Sequence, residues 1–131
     1  MKSVKEMVAA ANEVVDHAPA SEVMSLHGQD GVTFVDLRDP RGLECEGMIP
    51  GAFHCPRGML EFWIDPDSPY AKPQFQTGNR FVFYCASGWR SALSAQVAQD
   101  MGLENVSHIT DGLGGWKKAG APVGEKPAKK A

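Results

Sequence analysis

Two apolar periods alternate along the chain. Val4, Met7, Val8, Ala11, Val14 and Val15 recur three and four residues apart, which predicts an amphipathic helix from about Ser3 to His17, ended by Pro19. A shorter helical stretch begins at Ser21 and carries Val23, Met24 and Leu26 into the turn segment from His27 to Gly31. Val32-Thr33-Phe34-Val35-Asp36-Leu37 then has the length and composition of a buried strand. Asp39-Pro40-Arg41-Gly42 turns the chain, and the segment from Ile49 to Pro56 is a short extended piece bracketed by prolines. Met59, Leu60, Phe62 and Trp63 make one or two helical turns, and a polar, proline-punctuated loop runs from Asp65 to Gly78. Val82-Phe83-Tyr84 is the next strand. After a glycine turn, a helix follows from Ser91 to Met101, with Leu93, Val97 and Met101 spaced by four and Gly102 as its stop. Val106 to Ile109 reads as a last strand and Gly112 to Ala119 as a last helix containing Trp116. Strands that alternate with helices predict an α/β layer structure with a mainly parallel central sheet, and no internal repeat interrupts the pattern.

The junction between the Val82-Phe83-Tyr84 strand and its helix is where this pattern points to chemistry. A residue just past the end of a buried strand is presented at the carboxyl edge of the sheet, where open α/β folds bind ligands, and here that residue is Cys85. Gly88 lets the following amides curl toward a common centre, and the helix start adds unpaired N–H groups and partial positive charge, so the loop is a candidate anion nest. A cysteine at such a rim favours thiolate, since comparable settings lower a thiol pKa from about 8.5 to roughly 3.5–7.5. Arg90 contributes a fixed cation. Cys85 is therefore the candidate nucleophile, and Ala86, Ser87, Gly88, Trp89, Arg90 and Ser91 form the candidate substrate-binding loop. The competing role for Cys85, a small buried hydrophobe, accounts for none of the glycine, the arginine or the helix.

Composition narrows the rest. A chain of 131 residues, 43% hydrophobic and 22% charged, suits one soluble domain, taken as residues 1–124, followed by a disordered basic tail, 125–131, with Lys126, Lys129 and Lys130. A net charge of −3 gives no nucleic-acid surface. Glu6, Asn12, Glu13 and Asp16 break the apolar runs near the N-terminus, which resembles neither a signal peptide nor a membrane span, so a cytoplasmic protein is expected. Cys45, Cys55 and Cys85 contain no Cys-x-x-Cys, which argues against a disulfide framework or a zinc site, and no metal or cofactor is expected. His17, His27, His54 and His108 show no ligand spacing and none adjoins Cys85 in sequence, so a Cys-His hydrolase would lack its base.

Four segments together resemble the rhodanese-like sulfurtransferases. Val35-Asp36-Leu37-Arg38 resembles the family's first signature, and Gly47-Met48-Ile49-Pro50-Gly51-Ala52 its Gly-His-Ile-Pro-Gly-Ala. Cys85 to Arg90 resembles its Cys-x-x-Gly-x-Arg loop, and the segment from Gly112 to Val123 its closing Gly-Trp and Ala-Gly-x-Pro-Val. The resemblance implies a central, mainly parallel five-stranded sheet flanked by helices on both faces. It also implies an enzyme whose cysteine takes a sulfane sulfur from thiosulfate or a persulfide, becomes a persulfide, and hands the sulfur to cyanide, a thiol or a protein acceptor. Asp36 and Arg38, on the family's pattern, tie the fold together, with a catalytic role as the alternative. Arg57 is a candidate addition to the anion site or an exposed, solvated side chain. Cys45 and Cys55 are packing residues or resolving thiols, and Phe62, Trp63 and Trp89 shape a substrate mouth or belong to the core.

Three departures from the family pattern carry information. Met48 stands where the family has histidine, Ala86 where many active members carry a second cation, and Trp89 makes the loop bulky. The latter two suit a donor less charged than thiosulfate. Two rival functions follow from the same residues. Phosphatases and arsenate reductases also set a cysteine and an arginine around an amide nest, but with one more residue between them than the four here, Ala86 to Trp89. A non-catalytic module that binds a partner or carries sulfur to it is the other, since the fold alone does not dictate function.

Overall fold

The computed structural model describes residues 1–125, so the expected basic tail lies, Glu125 apart, outside the described residues. Five strands form one sheet: β1 (Asp16–Ala18), β2 (Val32–Asp36), β3 (Phe53–His54), β4 (Arg80–Tyr84) and β5 (Val106–Ile109). Their order is β1-β5-β4-β2-β3 and every pairing is parallel. β4 is the central strand, between β5 and β2, with Val32 of β2 opposite Arg80 and Asp36 opposite Tyr84. Parallel strands need crossovers, and six helices supply or flank them: α1 (Val4–Val14), α2 (Ala20–Val23), α3 (Pro40–Glu46), α4 (Leu60–Ile64), α5 (Trp89–Asp100) and α6 (Gly112–Lys118).

Side chains of a strand alternate between faces, and the two halves of the core follow that alternation. Val35, Phe81, Phe83 and Val106 pack on one face against Leu60, Ile64, Ala95 and Ala98 of α4 and α5. Phe34, Val82, Tyr84 and Ile109 pack on the other against Ala20, Val23, Leu113 and Trp116 of α2 and α6. The buried Trp116 ring meets Phe34 and His27 edge-on, and its indole N–H donates to the Pro122 carbonyl at 2.7 Å. Helices thus cover both faces, and no helix among the described residues is long and apolar enough to cross a membrane.

Three local expectations are corrected. The first helix stops at Val14 instead of reaching His17, because Asp16–Ala18 pairs with β5 as an edge strand, His17 opposite His108. The β-branched pair Val14-Val15 and the bias of the residue before Pro19 toward extended backbone both favour that switch. Only Phe53–His54 of the segment from Ile49 to Pro56 pairs in the sheet. The buried face of α5 is not Leu93, Val97 and Met101, of which Met101 is exposed, but the small residues Ser91, Ala92, Ser94, Ala95 and Ala98. α5 packs against the sheet, α1 and α4 together, and that crowding admits only short side chains.

Candidate active site

β4 ends at Tyr84, whose carbonyl accepts from the Leu37 amide at 3.0 Å, so the ladder holds the strand to its last residue. Cys85 follows, 1% exposed, at the carboxyl edge of the central strand. The loop then doubles back through Gly88, at φ +103°, where an added Cβ would lie 2.1 Å from the Thr110 carbonyl oxygen. Only glycine fits, on conformation and on space. The turn brings the Gly88 N–H to 3.1 Å from the Cys85 sulfur, and an N–H donating to sulfur stabilises negative charge there.

The first turn of α6 fixes the outer side of the loop. Leu113 N–H donates to the Cys85 carbonyl at 2.9 Å and Gly114 N–H to the Ala86 carbonyl at 3.3 Å. In a trans peptide the N–H points opposite to the C=O, so the Ala86 and Ser87 amides face away from α6. This close approach depends on Gly112 (φ +59°), where a Cβ would meet the Cys85 and Ala86 carbonyl oxygens at 2.7 and 2.5 Å. Asp111 holds the entry to α6 by accepting from the Ala20 amide at 2.8 Å.

Trp89 and Arg90 begin α5 and are exposed, Trp89 by 49%. Among the described residues the Arg90 guanidinium has no carboxylate partner. Ser91, fully buried on the same turn, places its hydroxyl 3.7 Å from the Cys85 sulfur. That hydroxyl also lies 2.9 Å from His108 Nδ1, and the other ring nitrogen of His108 lies 2.6 Å from Asn12 Oδ1 on α1. His108 was not expected near the nucleophile. It stands on β5 opposite Phe83, two residues before Cys85, and burial together with the neighbouring His17 pushes its pKa down to about 4, so the imidazole is neutral at physiological pH. An imidazole within the short buried strand Val106–Ile109, beside the equally polar Ser107, was the only sequence signal for it.

None of the remaining candidates hydrogen-bonds to the Cys85 sulfur, whose hydrogen-bond partners among the described residues are the Gly88 amide and the Ser91 hydroxyl. Asp36 and Arg38 form a buried pair, Nη2 to Oδ2 at 2.7 Å and Nε to Oδ1 at 3.0 Å. Arg38 also donates to the Gly42 and Gly47 carbonyls, which ties α3 and the loop after it to β2. Arg57, beyond β3 and two strands from β4, pairs with Glu61 at 2.7 Å. Cys45 is exposed on α3, and Cys55 is buried, its thiol pushed up to about 12 by desolvation. A thiol so reluctant to ionise is a poor resolving group. Met48 is buried and bridges Gly124 through backbone hydrogen bonds in both directions. Phe62 is exposed while Trp63 packs on Phe53. Among the described residues no cluster of three or more His, Cys, Asp or Glu side chains is placed to hold a metal ion.

Residues 19–119 match the family model of the rhodanese-like domain. The chain belongs to the rhodanese-like family. An uncharacterised protein from Synechocystis is 34% identical over 118 residues, and the match covers 89% of this chain but 60% of that protein. A solved structure from Rhodopseudomonas palustris, named a possible tyrosine phosphatase, is 53% identical, with 94% of this chain and 95% of that one covered and a TM-score of 0.91. The polysulfide-sulfur transferase homodimer of Wolinella succinogenes shares the rhodanese-like fold, with a TM-score of 0.66 at 23% identity over 93% of this chain and 87% of that one. The matched segment begins after α1 and β1, so Asn12 reaches the site from outside it.

Proposed function

We propose that the protein is a sulfurtransferase in which Cys85 carries a sulfane sulfur from a donor to a thiophilic acceptor. The Cys85 thiolate attacks the outer sulfur of the donor; the donor's S–S bond breaks, and sulfite leaves if the donor is thiosulfate, a thiol if it is a persulfide. Cys85 is left as a persulfide anion. Cyanide or an acceptor thiol then attacks the outer sulfur, departs as thiocyanate or a new persulfide, and restores the thiolate, a two-step covalent cycle. The observation that carries this reading is the Gly88 N–H 3.1 Å from the Cys85 sulfur, in a loop with four residues before Arg90. Donors aimed at a sulfur anion in a site closed to water are the largest electrostatic contribution such a loop can make. The persulfide's outer sulfur extends about 2 Å further, one S–S bond, toward the exposed rim of Ala86, Ser87, Trp89 and Arg90.

Ala86 and Trp89 leave Arg90 as the rim's fixed cation, which favours a persulfide donor over doubly charged thiosulfate. The exposed rim also admits a protein acceptor, and free-thiol chemistry of this kind belongs in a reducing compartment such as the cytoplasm. Incubation with a sulfane donor and no acceptor should add the mass of one sulfur, mapped by digestion to the peptide holding Cys85 and removed by cyanide. Cys85→Ala should gain nothing. The phosphatase reading is favoured by the name of the Rhodopseudomonas relative, and it predicts hydrolysis of aryl phosphates by the unmodified protein. Such activity, abolished by Cys85→Ser and unaccompanied by sulfur uptake, would overturn the sulfurtransferase assignment.

A further inference from the structure

We propose that His108, oriented by Asn12, is a positioning residue for Cys85: acting through Ser91, it sets whether the serine hydroxyl accepts from or donates to the sulfur. This inference deepens the sulfurtransferase reading and rests on it for its biological meaning. Four groups make one continuous chain from α1 to the nucleophile, with Asn12 Oδ1 to His108 Nε2 at 2.6 Å, His108 Nδ1 to Ser91 Oγ at 2.9 Å, and Ser91 Oγ to Cys85 Sγ at 3.7 Å. Cys85, Ser91 and His108 are all buried, and Asn12 is half-buried at the end open to solvent.

Packing alone does not explain the chain. Ser91 already has an acceptor within its own helix turn, the Gly88 carbonyl at 3.2 Å, so it needs no histidine to be satisfied. An apolar residue at position 108 would fill the strand without the cost of burying an imidazole. The contact is instead secured from a third element, since Val8 and Ala11 of α1 pack on Ala92 of α5 and so hold Asn12 over the ring.

Neutral imidazole offers one donor and one acceptor, and the chain has two consistent states. With the thiol protonated, Nε2–H donates to Asn12, Ser91 O–H donates to Nδ1, and S–H donates to Ser91. On ionisation the thiol proton passes to Ser91 Oγ, the serine's own proton passes to Nδ1, and the Nε2 proton leaves to water beside Asn12. One proton has left, and the thiolate now faces a serine O–H that Nδ1–H holds in place, while the Asn12 amide turns its NH2 to Nε2. The proton departs on the α1 side, away from the mouth where the donor binds. His17 on β1, with ring centroids 6.0 Å apart, is the titratable group facing His108 besides Cys85, and burial of the ring, with His17 as the smaller contribution, keeps the imidazolium form from accumulating. The contacts from α5 and α1 are the uncharged Ser91 and Asn12.

The test is the pH dependence of Cys85 alkylation by iodoacetamide, followed by mass spectrometry in the wild type, His108→Leu, His108→Gln, Ser91→Ala and Ser91→Ala/His108→Leu, each checked for folding by circular dichroism. Without His108 the serine returns its proton to the Gly88 carbonyl, and the midpoint should rise by about one pH unit, the size of losing one hydrogen bond to a charged group. His108→Gln should rise less, and adding His108→Leu to Ser91→Ala should shift nothing further. Profiles of folded His108→Leu and His108→Gln that superimpose on the wild type would overturn the proposal, as would a full His108 effect persisting without Ser91. If His108→Leu does not fold, His108→Gln decides by the same criterion. Alkylation needs no sulfur donor, so a wild type that takes up no sulfur counts against the proposed function and leaves this readout intact.

Discussion

Acid should destabilise this protein through His108 before its carboxylates are titrated in bulk. The group is 1% exposed and its pKa is lowered from 6.5 to about 4 by burial and by His17, so the unfolded chain binds a proton that the folded one refuses. The stability this represents is fully present above the unfolded pKa and is lost as pH falls from about 6.5 toward 4, since in that window the unfolded state holds more protons. Integrating the two titrations, the loss relative to pH 7 is about 2 kcal/mol at pH 5 and about 3 kcal/mol at pH 4. Urea unfolding at half-unit intervals, in the wild type and in His108→Gln, isolates the effect, because the contributions of the carboxylates are common to both. The difference between the two stability curves should be flat above pH 7 and narrow by about those amounts on acidification. Parallel curves from pH 7 to 4 would show that the ring is solvated or charged in the folded state, and the geometry at β5 would then be read wrongly.

Other outcomes follow from the loop. Gly88→Ala forces a side chain at φ +103° and 2.1 Å from the Thr110 oxygen, so the loop must move and the N–H donor to sulfur is lost; sulfur loading measured in single turnover should fall by about 10²-fold. Arg90→Ala should lower kcat/KM more steeply for thiosulfate than for a less charged sulfane donor, and Arg90→Lys should recover part of it, because lysine keeps the charge without the planar fork; equal rates for wild type and Arg90→Ala with thiosulfate would place Arg90 outside the reaction. Cys55→Ser puts a hydroxyl into a fully buried site and should cost on the order of 1–3 kcal/mol in thermal or urea unfolding while turnover per folded molecule persists.

The parts of the molecule legible in the sequence are those made by residues close together in the chain. The Cys85-to-Arg90 loop is one, since its nest is built from the amides of consecutive residues and from the start of the helix they open. The pair Asp36 and Arg38 is another, two residues apart at the end of a strand. Apolar runs likewise marked β2 and β4, because strands in the middle of a sheet covered on both faces are largely apolar on both. Tertiary structure decided what contacts across the chain create. The edge strand Asp16–Ala18 is too short and polar to carry a period, and it exists because β5 offers it a hydrogen-bonding partner. The inner face of α5 is made of small residues because three elements crowd it, a condition that helical spacing does not encode. Asn12 and His108 stand 96 residues apart, and nothing local pairs them; only the parallel placement of β5 beside β4, with α1 packed on α5, brings an imidazole from β5 to the serine behind the nucleophile.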